Sequence, residues 1–230
     1  MAGNIKQSNL APLKIAQLEA DIKSGKIDTV IVGMTDMQGR LQGKRIHAPF
    51  FLKDTMHHGT EGCNYLLAVD VDMNTVSGYA MSSWDSGYGD MVMAPDYDSL
   101  RYIPWLPGTA LVLADLLKTD HTDVYASPRQ ILKKQINKLK EHKLVPYVGT
   151  ELEFIVFKDS YEEAFNKGYK DLIPGNQYNV DYSLLGTTRV EGLLRAIRLG
   201  MDGAGLEVES AKGECNYGQH EIAFRFKDAL

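Results

Sequence analysis

Residues 145–157 form an apolar, partly β-branched run that reads as a buried strand. The run carries two carboxylates one residue apart, in Gly149-Thr150-Glu151-Leu152-Glu153-Phe154. Alternate side chains on a strand share a face, so Glu151 and Glu153 are expected to point the same way. Two like charges removed from water lose hydration and repel each other, so this strand requires something that neutralises them. A pair of hard divalent cations is the most economical candidate, which makes the strand a candidate active-site element.

The rest of the composition narrows the setting. A chain of 230 residues can bury a real core as one large domain or two smaller ones. Its 44% apolar and 24% charged residues are those of an ordinary globular protein. The net charge is −5, with Lys and Arg scattered, which argues against nucleic acid as a partner. Cys63 and Cys215 are far apart, form no metal-spaced pair, and read as free thiols in a reducing compartment. There is no apolar run long enough to span a bilayer, and the polar start at residues 1–9 does not resemble a secretory signal. The expectation is a cytoplasmic protein with no membrane partner.

Helix periodicity covers 12–24, with Ile15, Leu18 and Ile22 on one face, and strands are expected at 29–34 and 41–47 around a turn at 36–40. A short helix follows at 50–58, then a Gly-, Ser- and Asp-rich stretch at 75–98, then strand-like pieces around Tyr102 and at 111–114. Residues 118–125 read as a linker. Ser127, Pro128 and Gln130 predict a helix start with a capping box, and Leu132, Ile136 and Leu139 give that helix a core stripe. After the Glu151 strand come a polar loop at 158–179, a helix at 190–204 and strands at 207–210 and 220–226.

A second acidic cluster lies in Gly213-Glu214-Cys215-Asn216-Tyr217-Gly218-Gln219-His220-Glu221. Four glutamates, Glu151, Glu153, Glu214 and Glu221, are then delivered by strands with Gly at the bends. An oxygen-only carboxylate set suits Mg²⁺ or Mn²⁺ and is a poor zinc site. Such ions commonly serve phosphoryl transfer.

These residues resemble the glutamine synthetase superfamily, in its type I-like γ-glutamyl amide ligases. The resemblance extends to Asp36-Met37-Gln38-Gly39-Arg40-Leu41-Gln42-Gly43-Lys44-Arg45, to Asp90 through Pro95-Asp96, to Pro104-Trp105 and Gly108-Thr109-Ala110, and to Tyr178-Asn179-Val180-Asp181-Tyr182. It implies an α+β chain: an N-terminal extension at 1–14, a β-grasp domain at 15–117, and at 118–230 the incomplete first part of an antiparallel-sheet catalytic domain. It also implies a ring-shaped homo-oligomer with active sites between subunits. By the same resemblance Glu153, Glu214 and Glu221 ligate the metal that polarises the acceptor carboxylate, and Glu151 belongs to a second metal that escorts ATP. Phe226 falls where the family packs a residue against the nucleotide. The implied chemistry is ATP-dependent ligation of glutamate to an amine through a γ-glutamyl phosphate.

Two departures from the family pattern bear on function. Ammonia-using members carry an Asp-Gly-Ser-Ser stretch ahead of the Asp90 segment. Here Val76-Ser77-Gly78-Tyr79-Ala80-Met81-Ser82-Ser83-Trp84-Asp85 lacks the acid at its expected place, with Asp72 and Asp85 as substitutes. The acceptor is therefore expected to be larger than ammonia: a polyamine, ethanolamine, an alkylamine or an aromatic amine. The chain is also shorter than the family's, ending a few residues past the 220–226 strand, so the 230 residues alone are expected to be inactive. A non-catalytic structural or regulatory homologue is the alternative reading, and a different phosphoryl-transfer site a third. Among the other residues, Glu209 competes with Glu214 as a ligand. His220 reads as a packed side chain, Tyr182 as a weak candidate for the glutamate pocket, and His57-His58 and Lys44-Arg45 as solvated. Trp84 and Trp105 read as core or subunit-contact residues.

Overall fold

A computed structural model describes residues 13–81 and 87–230. The described residues divide into two compact units, one of 13–146 with 228–230 and one of 147–227.

The first unit is built on a five-stranded sheet in the order β2-β1-β5-β4-β3. Its strands are β1 (Thr29–Thr35), β2 (Leu41–His47), β3 (Thr60–Cys63), β4 (Asp90–Tyr102) and β5 (Thr109–Leu117). β1 and β5 run parallel, and the other pairs are antiparallel. Alternation places Val30, Val32 and Met34 of β1 beside Ala110, Val112, Ala114 and Leu116 of β5 in one buried layer. Leu18 and Ile22 of α1 (Ile15–Lys23) and the fully buried Phe51 join that layer. The helix expected at 50–58 is a composite of α2 (Ala48–Phe50), a π-helical turn at Phe51–Thr55 and α3 (Met56–His58).

The 36–40 turn is held by one buried carboxylate. Asp36 Oδ1 accepts the Gln38 and Arg40 backbone N–H groups at 2.9 Å each, and Oδ2 accepts Arg40 Nε at 2.7 Å. Burial alone would raise this carboxyl; the hydrogen bonds from Arg40 and Gln42 outweigh it and hold Asp36 below the ordinary range. Arg40 and Gln38 then reach the carbonyls of Val71, Asp70 and Val69 and tether that loop.

Strand β4 begins inside the 75–98 stretch. Pro95 and Asp96 keep register with Ala114 and Leu113 of β5, and a register shift between Asp96 and Arg101 takes up Asp98, where Asp96 O accepts Ser99 Oγ at 2.6 Å. Helix α4 (Pro128–Glu141) begins as expected, with Ser127 Oγ accepting the Gln130 N–H. The reciprocal half of the capping box is corrected: Gln130 Nε2 donates instead to Leu116 O at 3.3 Å and Asp123 Oδ1 at 3.1 Å. The Ser127 N–H goes to Val124 O. Arg129 and Lys133 further bind this helix to the sheet by pairing with Asp96 and Asp115.

The second unit holds a three-stranded antiparallel sheet ordered β7-β9-β8, from β7 (Leu152–Ile155), β8 (Val208–Gly213) and β9 (Gln219–Phe224). A two-residue strand, β6 (Tyr147–Val148), precedes it. The 158–179 segment is not wholly a loop, since α5 (Tyr161–Asn166) starts at a complete Ser160/Glu163 capping box. The short α6 (Leu184–Thr188) is capped by Ser183, and α7 (Glu191–Gly203) buries Leu194. Val180 and Ile222 complete the buried centre of this unit.

Candidate metal centre

The site is set by strand register. Glu153 of β7 lies opposite Glu221 of β9, and Glu221 lies opposite Lys212 of β8. Directly opposed residues of antiparallel strands project from one face, so these three form a row across the sheet. The next row, Phe154, His220 and Gly213, projects from the other face. There His220 is fully buried, its ring 6.2 Å from that of Phe154, with neither ring nitrogen hydrogen-bonded. Burial pushes its pKa down, favouring the neutral ring. Gly213 admits no side chain, because a Cβ would meet Val180 O at 2.2 Å. One face is thus packed and the other presents charge.

Glu214 enters the charged face from the turn between β8 and β9. Its N–H donates to Gln219 O at 3.0 Å, and the Gln219 N–H donates to Asn216 O at 3.1 Å. Gly218 closes that turn at φ +73°, where a Cβ would stand 2.7 Å from Val156 O. The Lys212 ammonium contacts Glu214 Oε1 and lies 3.0 Å from Glu221 Oε2. That contact holds the Glu214 carboxyl below its ordinary range and raises Lys212. Gln219 Nε2 donates to Glu153 Oε2.

Register sets Glu153 opposite Glu221, and Lys212 joins Glu214 to Glu221, whereas Glu151 makes no hydrogen bond or ion pair among the described residues. The expected single buried strand over 145–157 is corrected: it is interrupted at 149–151, and both Glu151 and Glu153 are exposed. β7 pairs on one side only, with β9, so it is an edge strand, and Gly149 weakens regular pairing just before it. The like-charge problem of Glu151 and Glu153 is therefore met largely by water.

Phe226 is exposed, its ring 6.1 Å from Tyr147 edge-on and 5.8 Å from the Arg225 guanidinium. Glu209 pairs with Arg225 at 3.1 Å. Tyr182 is exposed, and the Lys212 ammonium lies 4.8 Å from its ring centroid. Asp181 is a neighbour that acidity patterns along the chain do not reveal, since it sits 33 residues before Glu214. Ligand atoms of Asp181, Glu214 and Cys215 lie within 4.8 Å of one another. Cys215 donates its S–H to Asp181 Oδ2 at 3.4 Å, and that bond raises the thiol's pKa, so this trio is a hydrogen-bonded group rather than a thiolate ligand set. Cys63 and Cys215 are both free thiols. Trp105 is exposed, as are Lys44, Arg45, His57, His58 and Asp72; Trp84 and Asp85 lie outside the described residues.

The donor chemistry fits a hard divalent cation. Glu214 and Glu221 share one ammonium, and register sets the carboxylate of Glu153 on the strand position opposite Glu221.

Residues 125–230 match the family described as the glutamine synthetase catalytic domain. The chain is 62% identical over 219 residues to the "Gamma-glutamylethanolamide synthetase GlnA4" of Streptomyces coelicolor, covering 95% of this chain and 47% of the relative. It is 31% identical to the "Glutamate--isopropylamine ligase" of a Pseudomonas species, covering 94% and 47%. Among solved structures, the ADP complex of GmaS superposes with a TM-score of 0.72 at 20% identity, over 92% of this chain and 44% of that one. The chain spans about half the length of the curated relatives it matches.

Proposed function

We propose, for a chain of the glutamine synthetase family, that it takes part in ATP-dependent ligation of glutamate's γ-carboxylate to an amine larger than ammonia. The observation that carries this reading is the row of Glu153, Glu221 and Lys212 with Glu214 beside it. Glu153, Glu214 and Glu221 hold one Mg²⁺ or Mn²⁺, with Gln219 orienting Glu153, and Glu151 contributes to a second. When bound, the ions offset the repulsion between an anionic carboxylate and a triphosphate. Phe226 packs against the nucleotide. The γ-carboxylate attacks the γ-phosphate of ATP, ADP leaves, and the amine displaces phosphate from γ-glutamyl phosphate.

Residues 15–117 are taken as a β-grasp domain and 118–230 as part of the catalytic domain. The protein assembles as a ring-shaped homo-oligomer in the cytoplasm, with no nucleic acid or membrane partner; among the described residues no helix is long and apolar enough to cross a membrane. Ethanolamine is the first acceptor to test, because the 62%-identical relative is named for it. The 230 residues span 47% of that relative and are proposed not to complete the reaction alone.

The test is phosphate release from ATP with glutamate, Mg²⁺ and a panel of ethanolamine, isopropylamine, a polyamine and ammonia. It is run on protein of the relatives' length and on the 230-residue chain. Ethanolamine is expected to lead the panel in the longer protein. Ammonia as the best acceptor would overturn the amine assignment, no release with any amine would overturn the ligase reading, and turnover by the shorter chain would overturn its inactivity.

A further inference from the structure

We propose that Lys212 is a resident counter-cation of Glu214 and Glu221, and that a divalent ion binds by displacing its ammonium from both carboxylates while it keeps its place over the ring of Tyr182. The inference rests on the reading that Glu153, Glu214 and Glu221 hold that ion, and it adds a residue that tunes the site.

Register fixes Lys212 where it is. It stands opposite Glu221, so its side chain leaves the sheet on the carboxylate face, and a neighbour one position away would leave on the packed face. Its ammonium contacts Glu214 and Glu221 together, with the three side chains only 25%, 17% and 12% exposed. These are therefore not the freely solvated ion pairs that contribute little. One ammonium thus offsets the repulsion between Glu214 and Glu221.

The same contacts obstruct a metal. A divalent ion must take lone pairs on the carboxylate oxygens that Lys212 occupies, and two cations sharing those oxygens repel strongly. Lys212 keeps one partner when those contacts are lost. Its flexible four-carbon stem already sets the ammonium 4.8 Å from the Tyr182 ring centroid, within the range of a cation–π contact. Tyr182 is tied to the same strand, its N–H donating to Gly213 O at 3.4 Å, in a left-handed conformation at φ +53°. A receiving surface is therefore part of the site's own backbone.

Mn²⁺ titration followed by electron paramagnetic resonance tests this on the native protein, Lys212→Met, Lys212→Arg and Glu221→Gln. Lys212→Met keeps the aliphatic stem and removes the competing charge, and is expected to bind Mn²⁺ about tenfold or more tightly. Lys212→Arg is expected to stay near native. In the native protein, acylation of Lys212 by acetic anhydride, read by mass spectrometry, is expected to rise when Mn²⁺ saturates the site. Lys212→Met binding no more tightly than native, or acylation that fails to rise, overturns the displacement. If Glu221→Gln loses Mn²⁺ while Lys212→Met is unchanged, only this inference falls. If Glu221→Gln binds like native, the metal reading beneath it falls instead.

Discussion

Asp21 and Asp36 in the first unit, and Glu153, Glu214 and Glu221 in the second, show what a fold does with carboxylates it needs and with carboxylates it presents. Asp21, 5% exposed, accepts from Gln17, Lys26 and Tyr102. Asp36, 1% exposed, accepts two backbone N–H groups and two side chains. Each is saturated by neighbours close in sequence or on the adjoining strand, and each fixes a turn or a helix. In the second unit Glu214 and Glu221 share one ammonium, Glu214 also accepts the Cys215 N–H at 3.3 Å, and Glu153 accepts one amide. Each of these glutamates has fewer partners among the described residues than Asp21 or Asp36, and that contrast is the one on which the proposed cation site rests.

Substitutions should separate these two roles. Phe51→Ala removes a fully buried ring from the first unit's core and is expected to cost about 3–5 kcal/mol of stability, measured by urea unfolding, with Mn²⁺ affinity unchanged. A parallel loss of Mn²⁺ affinity would break the comparison. Asp36→Ala should cost about 2–3 kcal/mol, again without affecting the metal. Because folding depresses the Asp36 pKa, its contribution is present above the ordinary carboxylate range. It is lost as pH falls from about 4 through the folded value, so the native protein should weaken there and the variant should weaken less. Gln219→Ala leaves the fold intact and removes the amide that orients Glu153, which should weaken Mn²⁺ by up to about tenfold. A Gln219→Ala protein that unfolds instead would place the turn among the structural elements.

Much of this was legible in the residues because it rests on local chemistry. The α1 periodicity, the hairpin around Asp36, the Ser127 cap and the helix expected at 190–204 all follow from short-range pattern, and all are present. β4 is hidden because Pro95 and two aspartates mask its pattern, and the shift in pairing after Asp96 is not recorded in the strand's own sequence. α5 and α6 were hidden for another reason: Tyr161, Phe165, Leu184 and Leu185 are exposed, so neither helix has a core-facing stripe to detect. Acidity and Gly spacing point to Glu153, Glu214 and Glu221 as candidate ligands, but the place of Lys212 beside Glu214 and Glu221 is visible only through register. The burial expected for Glu151 and Glu153 failed because an apolar run does not reveal that its strand lies at a sheet edge.

We propose that Glu153, Glu214 and Glu221, rather than the Glu151/Glu153 pair that stands out in the sequence, form a cation site within these 230 residues. Mn²⁺ affinity of the chain measured by electron paramagnetic resonance, for Glu151→Gln, Glu153→Gln, Glu214→Gln and Glu221→Gln against native, tests it directly. The account predicts that the last three each weaken Mn²⁺ by more than the roughly tenfold expected for a residue that only orients a ligand, while Glu151→Gln changes it little. Glu151→Gln weakening Mn²⁺ as much as Glu221→Gln, or the three others leaving it unchanged, would contradict the account.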